Sequence, residues 1–279
     1  MERRLARLER LASASRATYL GNGRVLVGLS VAGRELMFFL DAEDRLITPW
    51  VVSQGTYDEA LTGYLAATLP ADAHVIDVGA NFGYYTCLAG MLAPRGRVIG
   101  IEPDAASVVL ARDNVAINGL YDRASILHAA ADDAGRDVTL FRRIGRAGNT
   151  SIAAPAEAFT TALGEAPVER FTVPGVRVDD LLPQLDGRLD FLKVDVEGAE
   201  PLVLAGARAA IAANLHITIA LEWSPGQMQA AGFDAGELAH GFAAGGLRAY
   251  RLHRGGLVSM SQDALTGTDY LAAVILRHG

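Results

Sequence analysis

The segment Val75-Ile-Asp-Val-Gly-Ala-Asn-Phe-Gly83 constrains this chain more than any other. An apolar strand pattern (Val75, Ile76, Val78) enters a turn bounded by Gly79 and Gly83. An apolar helical pattern follows through Tyr84, Tyr85, Leu88, Ala89, Met91 and Leu92. Glycine at such a turn lets the backbone approach a ligand, and the helix start presents free N–H groups. A second apolar segment, Val98-Ile-Gly-Ile101, ends in Glu102-Pro103-Asp104. An acidic residue about 20 positions on is well placed for ribose hydroxyls. Together these predict a nucleoside-cofactor site at the carboxyl ends of parallel strands, without saying which nucleoside.

The pattern after Val75 alternates. Strands are expected near 75–79, 98–101, 125–130, 190–195 and 216–222, and helices near 83–92, 104–118, 199–213 and 226–244. That order implies a parallel sheet covered by helices on both faces. Residues 248–258 and 269–277 read as two more strands forming an antiparallel edge hairpin, and 138–141 as a short extra one. Upstream, Leu5, Leu8 and Leu11 suggest a short amphipathic helix over 2–12, a candidate homodimer element. Residues 24–40 read as two strands around Ala32-Gly33, and 57–68 as a helix ended by Pro70. Residues 1–70 are thus expected to form an extension and 71–279 the main domain. An insertion at about 142–172, rich in Gly and Pro, interrupts the main domain and has the length of a substrate-covering loop.

Composition narrows the class. With 279 residues, 51 % hydrophobic and 20 % charged, the chain is globular. A net charge of -7 argues against nucleic-acid and anionic-membrane partners. No apolar run reaches the length of a membrane span and no secretory signal is evident, so a cytoplasmic location is expected. The single cysteine, Cys87, rules out an internal disulfide or a Cys-based zinc site and reads as a buried core thiol.

Three motifs in combination carry a resemblance. Asp77-Val-Gly-Ala-Asn-Phe-Gly-Tyr-Tyr-Thr86, Ile101-Glu-Pro-Asp104 and Phe191-Leu-Lys-Val-Asp-Val-Glu-Gly-Ala-Glu200 resemble the FkbM family of S-adenosylmethionine-dependent methyltransferases. Asp44-Arg-Leu-Ile47, Gly55-Thr-Tyr57 and Gly148-Asn-Thr-Ser151 fit the same pattern. The resemblance covers about 44–222. It implies an α/β class I methyltransferase fold of Rossmann-like type, with a seven-stranded, mostly parallel sheet and an antiparallel C-terminal hairpin.

The resemblance also distributes roles. Asp77, Gly79, Ala80, Asn81, Gly83 and Tyr84 are expected to hold the cofactor. Glu102, beside Pro103, would accept both ribose hydroxyls, because a carboxylate has two acceptor oxygens. Asp132 follows the third strand, where the adenine amino group is expected; Asp133 is the adjacent alternative. Lys193, Asp195 and Glu197 place charge at the end of the fourth strand, next to the transferring methyl. Such a group of charges is costly unless solvated, paired or functional. Asp195 is the first choice for cofactor or acceptor contact, Glu197 the second, and Glu222 arrives at the same rim from the fifth strand. Glu200 reads as a structural helix-start acid, and His128 as a strand histidine. Gln54, Tyr57, Asn149, Thr150, Ser151 and Trp223 are the candidate acceptor contacts. No metal is assigned; magnesium on Asp195, Glu197 and Glu222 is a weaker alternative.

The expected activity is methyl transfer from S-adenosylmethionine to a hydroxyl of a small molecule such as a natural product, sugar or glycoconjugate. A nicotinamide-dependent oxidoreductase is one rival, although Gly79-x-x-x-Gly83 lacks the Gly-x-Gly-x-x-Gly turn. A non-catalytic nucleoside-binding module is the other.

Overall fold

The computed structural model describes residues 15–143, 148, 150–154 and 168–279. The helix expected over 2–12 lies outside the described residues. The first elements form an antiparallel meander, β1 (Ser15–Gly21), β2 (Arg24–Val31) and β3 (Arg34–Asp41). Alternation over 24–40 predicts only the last two. β1 joins them through Asn22-Gly23, both at positive φ, the backbone a tight hairpin requires. Helices α1 (Ile47–Gln54) and α2 (Glu59–Thr68) lead to the main sheet.

The chain then alternates as expected through β4 (His74–Val78), α3 (Tyr84–Leu92), β5 (Arg97–Glu102), α4 (Ala105–Ile117) and β6 (Ala124–His128). The short β7 (Ala130–Ala131) precedes a small antiparallel sheet of β8 (Val138–Arg143), β9 (Thr150–Ser151) and β10 (Val168–Val173). β11 (Gly175–Val176) pairs with β7, and a 3-10 helix (Val178–Leu185) enters β12 (Phe191–Val194). Then come α5 (Glu200–Gly206), α6 (Arg208–Ala213), β13 (Thr218–Trp223), α7 (Pro225–Ala230) and α8 (Ala235–Ala244). β14 (Leu247–His253), β15 (Gly256–Met260), α9 (Gln262–Thr266) and β16 (Leu271–His278) complete the chain.

The main sheet has the order β15-β14-β16-β13-β12-β4-β5-β6. Strands β6, β5, β4, β12 and β13 are parallel, and β16 runs antiparallel between β13 and β14. The fold is therefore the expected class I arrangement with two corrections. The sheet has eight strands rather than seven, because residues 248–258 turn at Arg254-Gly255 into the hairpin β14–β15. The last strand is interior rather than at the edge. The expected helices over 199–213 and 226–244 are each broken in two, the second at Gly232 with φ 90°.

Strand alternation divides the core. Val75, Val98, Ala220 and Ile275 pack on one face with α2, α3, α4 and the meander, as their shared apolar cluster shows. Ile76, Ile99, Ile219 and Leu276 pack on the other with the 3-10 helix and α5 to α9. The free edge of β3 is closed by two amides one turn apart on α4. Asn114 Oδ1 accepts from Phe39 N at 2.6 Å and Asn118 Oδ1 from Met37 N at 2.9 Å. Their Nδ2 groups donate to Phe39 O and Met37 O at 3.0 and 2.7 Å. Side chains thus stand in for a strand and cover an edge that would otherwise pair with another chain.

Candidate active site

The carboxyl ends of β4, β5, β12 and β13 and the segment after β6 open into one cleft of about 250 Å³. One end is apolar, lined by Ala129, Ala130, Ala131, Val138, Leu140 and Ile152. The middle carries Gly79, Asn81, Glu102 and Pro103. The far end carries Asp195, Glu197, Glu222, Tyr57 and Tyr270.

Glu102 is the last residue of β5 and is 5 % exposed. Its Oε2 accepts from Asn81 N at 2.7 Å and its Oε1 from Asp104 N at 2.8 Å. Burial pushes its carboxyl up to about 7, against those two backbone donors, which pull it down. The carboxyl is thus fixed by backbone at the cleft wall, and each oxygen keeps a further lone pair. Asn81 N can reach it because Asn81 adopts φ 50°, a left-handed conformation that asparagine tolerates better than most residues.

The glycines at this turn are also required by packing. A Cβ on Gly79, at φ 73°, would collide with the Asp195 carbonyl oxygen, and one on Gly83 would stand 3.1 Å from Ala111 Cα. Gly79 therefore lets β12 end against β4, and Gly83 lets α3 begin against α4. Gly79 also lines the cleft.

Lys193 and Asp195 lie on adjacent same-side positions of β12 and the turn after it. Lys193 Nζ donates to Gly79 O at 3.0 Å and stands 3.5 Å from Asp77 Oδ1 and 3.3 Å from Asp195 Oδ2. Burial pulls the Lys193 pKa down, but Asp195 and Asp77 outweigh it, and the ammonium is held charged well above its ordinary range. Asp77 is 1 % exposed and also accepts from Thr86 Oγ1 at 2.7 Å. It underlies the cleft rather than lining it. The nearby Tyr57 phenol is raised by its own burial and then by Asp195.

The acids at this end crowd one another. Burial, then Asp195 and Glu200, push Glu197 up to about 8. Glu222 is raised much further by burial and by Asp195, Glu197 and Glu200. A register shift between Leu221 and Trp223 on β13 flanks Glu222, the kind of irregularity that re-aims a side chain. Gln227 Nε2 donates to Glu197 Oε2, and Ser151 Oγ donates to the Glu197 carbonyl at 2.8 Å, pinning the turn at φ 57°. Glu200 accepts from Val196 N and Gly198 N at 3.1 and 3.3 Å, the structural role expected of it. Among the described residues, no group of three or more His, Cys, Asp or Glu side chains is arranged to hold a metal ion.

Of the residues singled out from sequence, Gly79, Asn81, Glu102, Pro103, Asp132, Asp195, Glu197, Glu222, Tyr57 and Thr150 line the cleft. Asp132 Oδ1 accepts from Ala134 N and Gly135 N at 3.2 and 2.6 Å, shaping the turn after β7. Ala80 and Tyr84 are buried outside the cleft lining, Tyr84 among Phe38, Tyr57, Phe82 and Tyr85. Trp223 is buried with Phe242, its Nε1 donating to Thr268 O at 3.2 Å. Gln54 bonds Ser53 at 3.3 Å and stays off the cleft. In each case apolar packing or a local partner takes the side chain elsewhere. Asn149 lies outside the described residues. Sequence reasoning missed Tyr270, Leu140 and Ile152, and gave no site role to Leu46 and Ile47 of the Asp44–Ile47 motif. Tyr270 was findable in principle: a last strand that reverses beside β13 must begin at the Glu222 rim.

A family model described as the methyltransferase FkbM domain matches residues 77–246. Methyltransferase sdnD of Sordaria araneosa is 27 % identical over 179 residues, which is 56 % of this chain and 69 % of that protein. Among solved structures, a methyltransferase FkbM from Methylobacillus flagellatus KT is 16 % identical with a TM-score of 0.47, over 76 % of this chain and 46 % of that one. A 16S rRNA methyltransferase of T. thermophilus in complex with AdoMet and guanosine is 16 % identical with a TM-score of 0.46, over 94 % of this chain and 52 % of that one. This chain spans about half the length of these two structures.

Proposed function

The chain belongs to the FkbM methyltransferase family, and from that premise we propose that it transfers a methyl group from S-adenosylmethionine to a hydroxyl of a small molecule. One observation supports this reading above the rest. The cleft sets a backbone-held carboxyl, Glu102, between an apolar slot and a group of acids centred on Asp195. The residues suit the cofactor. The free lone pairs of Glu102 match the two ribose hydroxyls, Ala129 to Ala131 with Leu140 and Ile152 offer an apolar slot for a base, and Asp132 stands at its rim.

When bound, S-adenosylmethionine supplies a methyl group on a sulfonium centre. Asp195, at the cleft surface and ion-paired with Lys193, accepts the hydroxyl proton of the acceptor as the oxygen becomes a nucleophile. Lys193 holds Asp195 in place and joins it to Gly79 and Asp77, so the cofactor floor and the proton acceptor move as one body. Thr150 and Tyr57 flank the acceptor's side of the cleft, and Ser151 fixes Glu197 behind it. A net charge of -7 disfavours a nucleic-acid acceptor. A hydride-transfer role does not fit family membership. We also propose that residues 15–70 fold with the main domain rather than apart from it. Phe38 packs on Tyr84 with ring centroids 5.5 Å apart, and α4 closes β3.

The test is incubation with labelled S-adenosylmethionine and a panel of hydroxylated acceptors, with matched deoxy compounds as controls. Label transfer that requires the hydroxyl supports the reading. Transfer to the deoxy compounds, or to nitrogen alone, sinks oxygen as the acceptor atom.

A further inference from the structure

The small sheet of β8, β9 and β10 shares no ladder with the main sheet among the described residues. Its apolar cluster is small: Ala130, Leu140 and Val173, packed by Val138, Ile152 and Phe171. Of these, Ala130, Val138, Leu140 and Ile152 line the apolar end of the cleft. A wall that turns its apolar side toward a ligand gains little from burial until the ligand arrives. Its placement therefore depends on polar contacts, and one of these joins it to the ribose turn. Arg142, in the middle strand β8, donates from Nη1 to Asp104 Oδ2 at 2.6 Å and from Nη2 to Glu169 Oε2 at 2.5 Å. Glu169 stands opposite Arg142 in the β8–β10 ladder and is half exposed, whereas Asp104 is buried.

Asp104 is the joint. Its Oδ1 accepts from Ala106 N and Ser107 N, both at 2.9 Å, and so caps α4. Its own N–H donates to Glu102 Oε1. The Glu102 carboxyl, the start of α4 and the small sheet thus meet at one buried carboxylate. Hydrogen bonds between charged groups are the strong ones, and a buried carboxylate that loses its cation is costly. The Arg142 backbone reaches the far end as well. Its neighbour across the β8–β9 ladder is Thr150, which lines the cleft, and Ser151 beside it holds the Glu197 carbonyl. We propose that Arg142 is a positioning residue for the cofactor. It does not line the cleft, but it holds the β8–β10 wall against the ribose turn, at the spacing from Glu102 that fits an adenine base. This rests on the S-adenosylmethionine reading above. A planar guanidinium suits the task, because its fixed fork holds two carboxylates in set directions where an ammonium is a point charge.

The experiment is calorimetric titration of the full chain with S-adenosylhomocysteine. Arg142→Gln and Asp104→Asn should each weaken binding about tenfold; asparagine keeps the α4 cap. The double variant should stay within about threefold of either single one, because the two side chains act through one contact. Glu169→Gln removes only the exposed partner and should stay within about threefold of wild type. Arg142→Lys, which keeps the charge and loses the fork, should fall between Arg142→Gln and wild type. Thermal unfolding checks that each variant folds. A role in folding alone lowers the unfolding temperature and leaves the affinity of the folded protein unchanged. If Arg142→Gln does not fold, Asp104→Asn against Glu169→Gln decides. An affinity within about twofold of wild type in folded Arg142→Gln overturns the inference, and so do losses that add in the double variant. If the wild-type protein does not bind the probe, the S-adenosylmethionine reading itself falls. Wild-type binding with both single variants unaffected sinks only the positioning role.

Discussion

The two acidic regions of the cleft are built on opposite principles. At the middle, Glu102 has both oxygens held by backbone N–H groups that belong to the turn itself. At the far end, Asp195, Glu197 and Glu222 press against one another, and Glu222 Oε2 has no partner. The first is a finished cradle that needs only hydroxyl donors. The second crowds acids together, and burial and like charge push the carboxyls of Glu197 and Glu222 up so that they keep their protons. On the proposed function, the first region binds the cofactor and the second does the chemistry.

The largest expected effect tests that division. Asp195→Ala should lower turnover by about 10²- to 10⁴-fold, the scale of a lost general base, while S-adenosylhomocysteine still binds in a titration. Loss of binding together with turnover would mean the two regions are not separable. Glu102→Gln should do the reverse. It weakens S-adenosylhomocysteine binding by about 1–3 kcal/mol, as for a lost hydrogen bond to a charged group, with turnover largely restored at saturating cofactor.

The protonation of these groups gives a third test. Glu102 and Glu200 are raised to about 7 and Glu197 to about 8, chiefly by burial. Above the ordinary carboxyl range of about 4.3 the unfolded chain has lost protons that the folded ligand-free protein still holds. Unfolding free energy therefore falls as pH rises from about 4.5 to 8, and the loss is complete once each folded pKa is passed. Glu222→Gln removes a carboxyl that the fold keeps protonated while the unfolded chain gives its proton up. It should raise stability at pH 8 by about 1–2 kcal/mol, with a smaller gain at pH 5, read from denaturant unfolding of the ligand-free protein. A stability that rises over this window would contradict the charge crowding.

The smallest effect sharpens the comparison. Ser151→Ala releases the Glu197 carbonyl and should cost about 0.5–1.5 kcal/mol in acceptor affinity. Cofactor binding, measured by the same titration, should not move.

The middle of the cleft and the acids of its far end were legible in the sequence, and Tyr270 and the apolar slot were not, for a physical reason. Glu102 follows directly from strand β5 and the Gly79 turn precedes it by one strand–helix unit, so local pattern places both. Even there, pattern alone does not show the packing that the glycines serve. Their φ is visible as a residue type, but the Asp195 carbonyl and Ala111 that they accommodate come from distant segments. Tyr84 reads as part of the cofactor turn, yet the aromatic residues that bury it, Phe38 and Tyr57, belong to the N-terminal region. The far end is assembled from β12, β13 and the start of β16, and Tyr270 enters it only because β16 lies between β13 and β14. Likewise the apolar slot draws on β8 and Ile152, which no periodicity connects to the Gly79 turn. Asp195, Glu197 and Glu222 could be placed at one rim from their strand ends; Tyr270 and the apolar slot, which depend on where β16 and β8 lie, could not.

The central claim is that this cleft is made for the S-adenosyl group, and the most direct measurement is a calorimetric titration of the full chain with S-adenosylhomocysteine, with NAD as the comparison. Micromolar binding of S-adenosylhomocysteine and none of NAD is the expected result. Binding of NAD in preference, or of neither, would contradict the reading of Glu102 and of the site built around it.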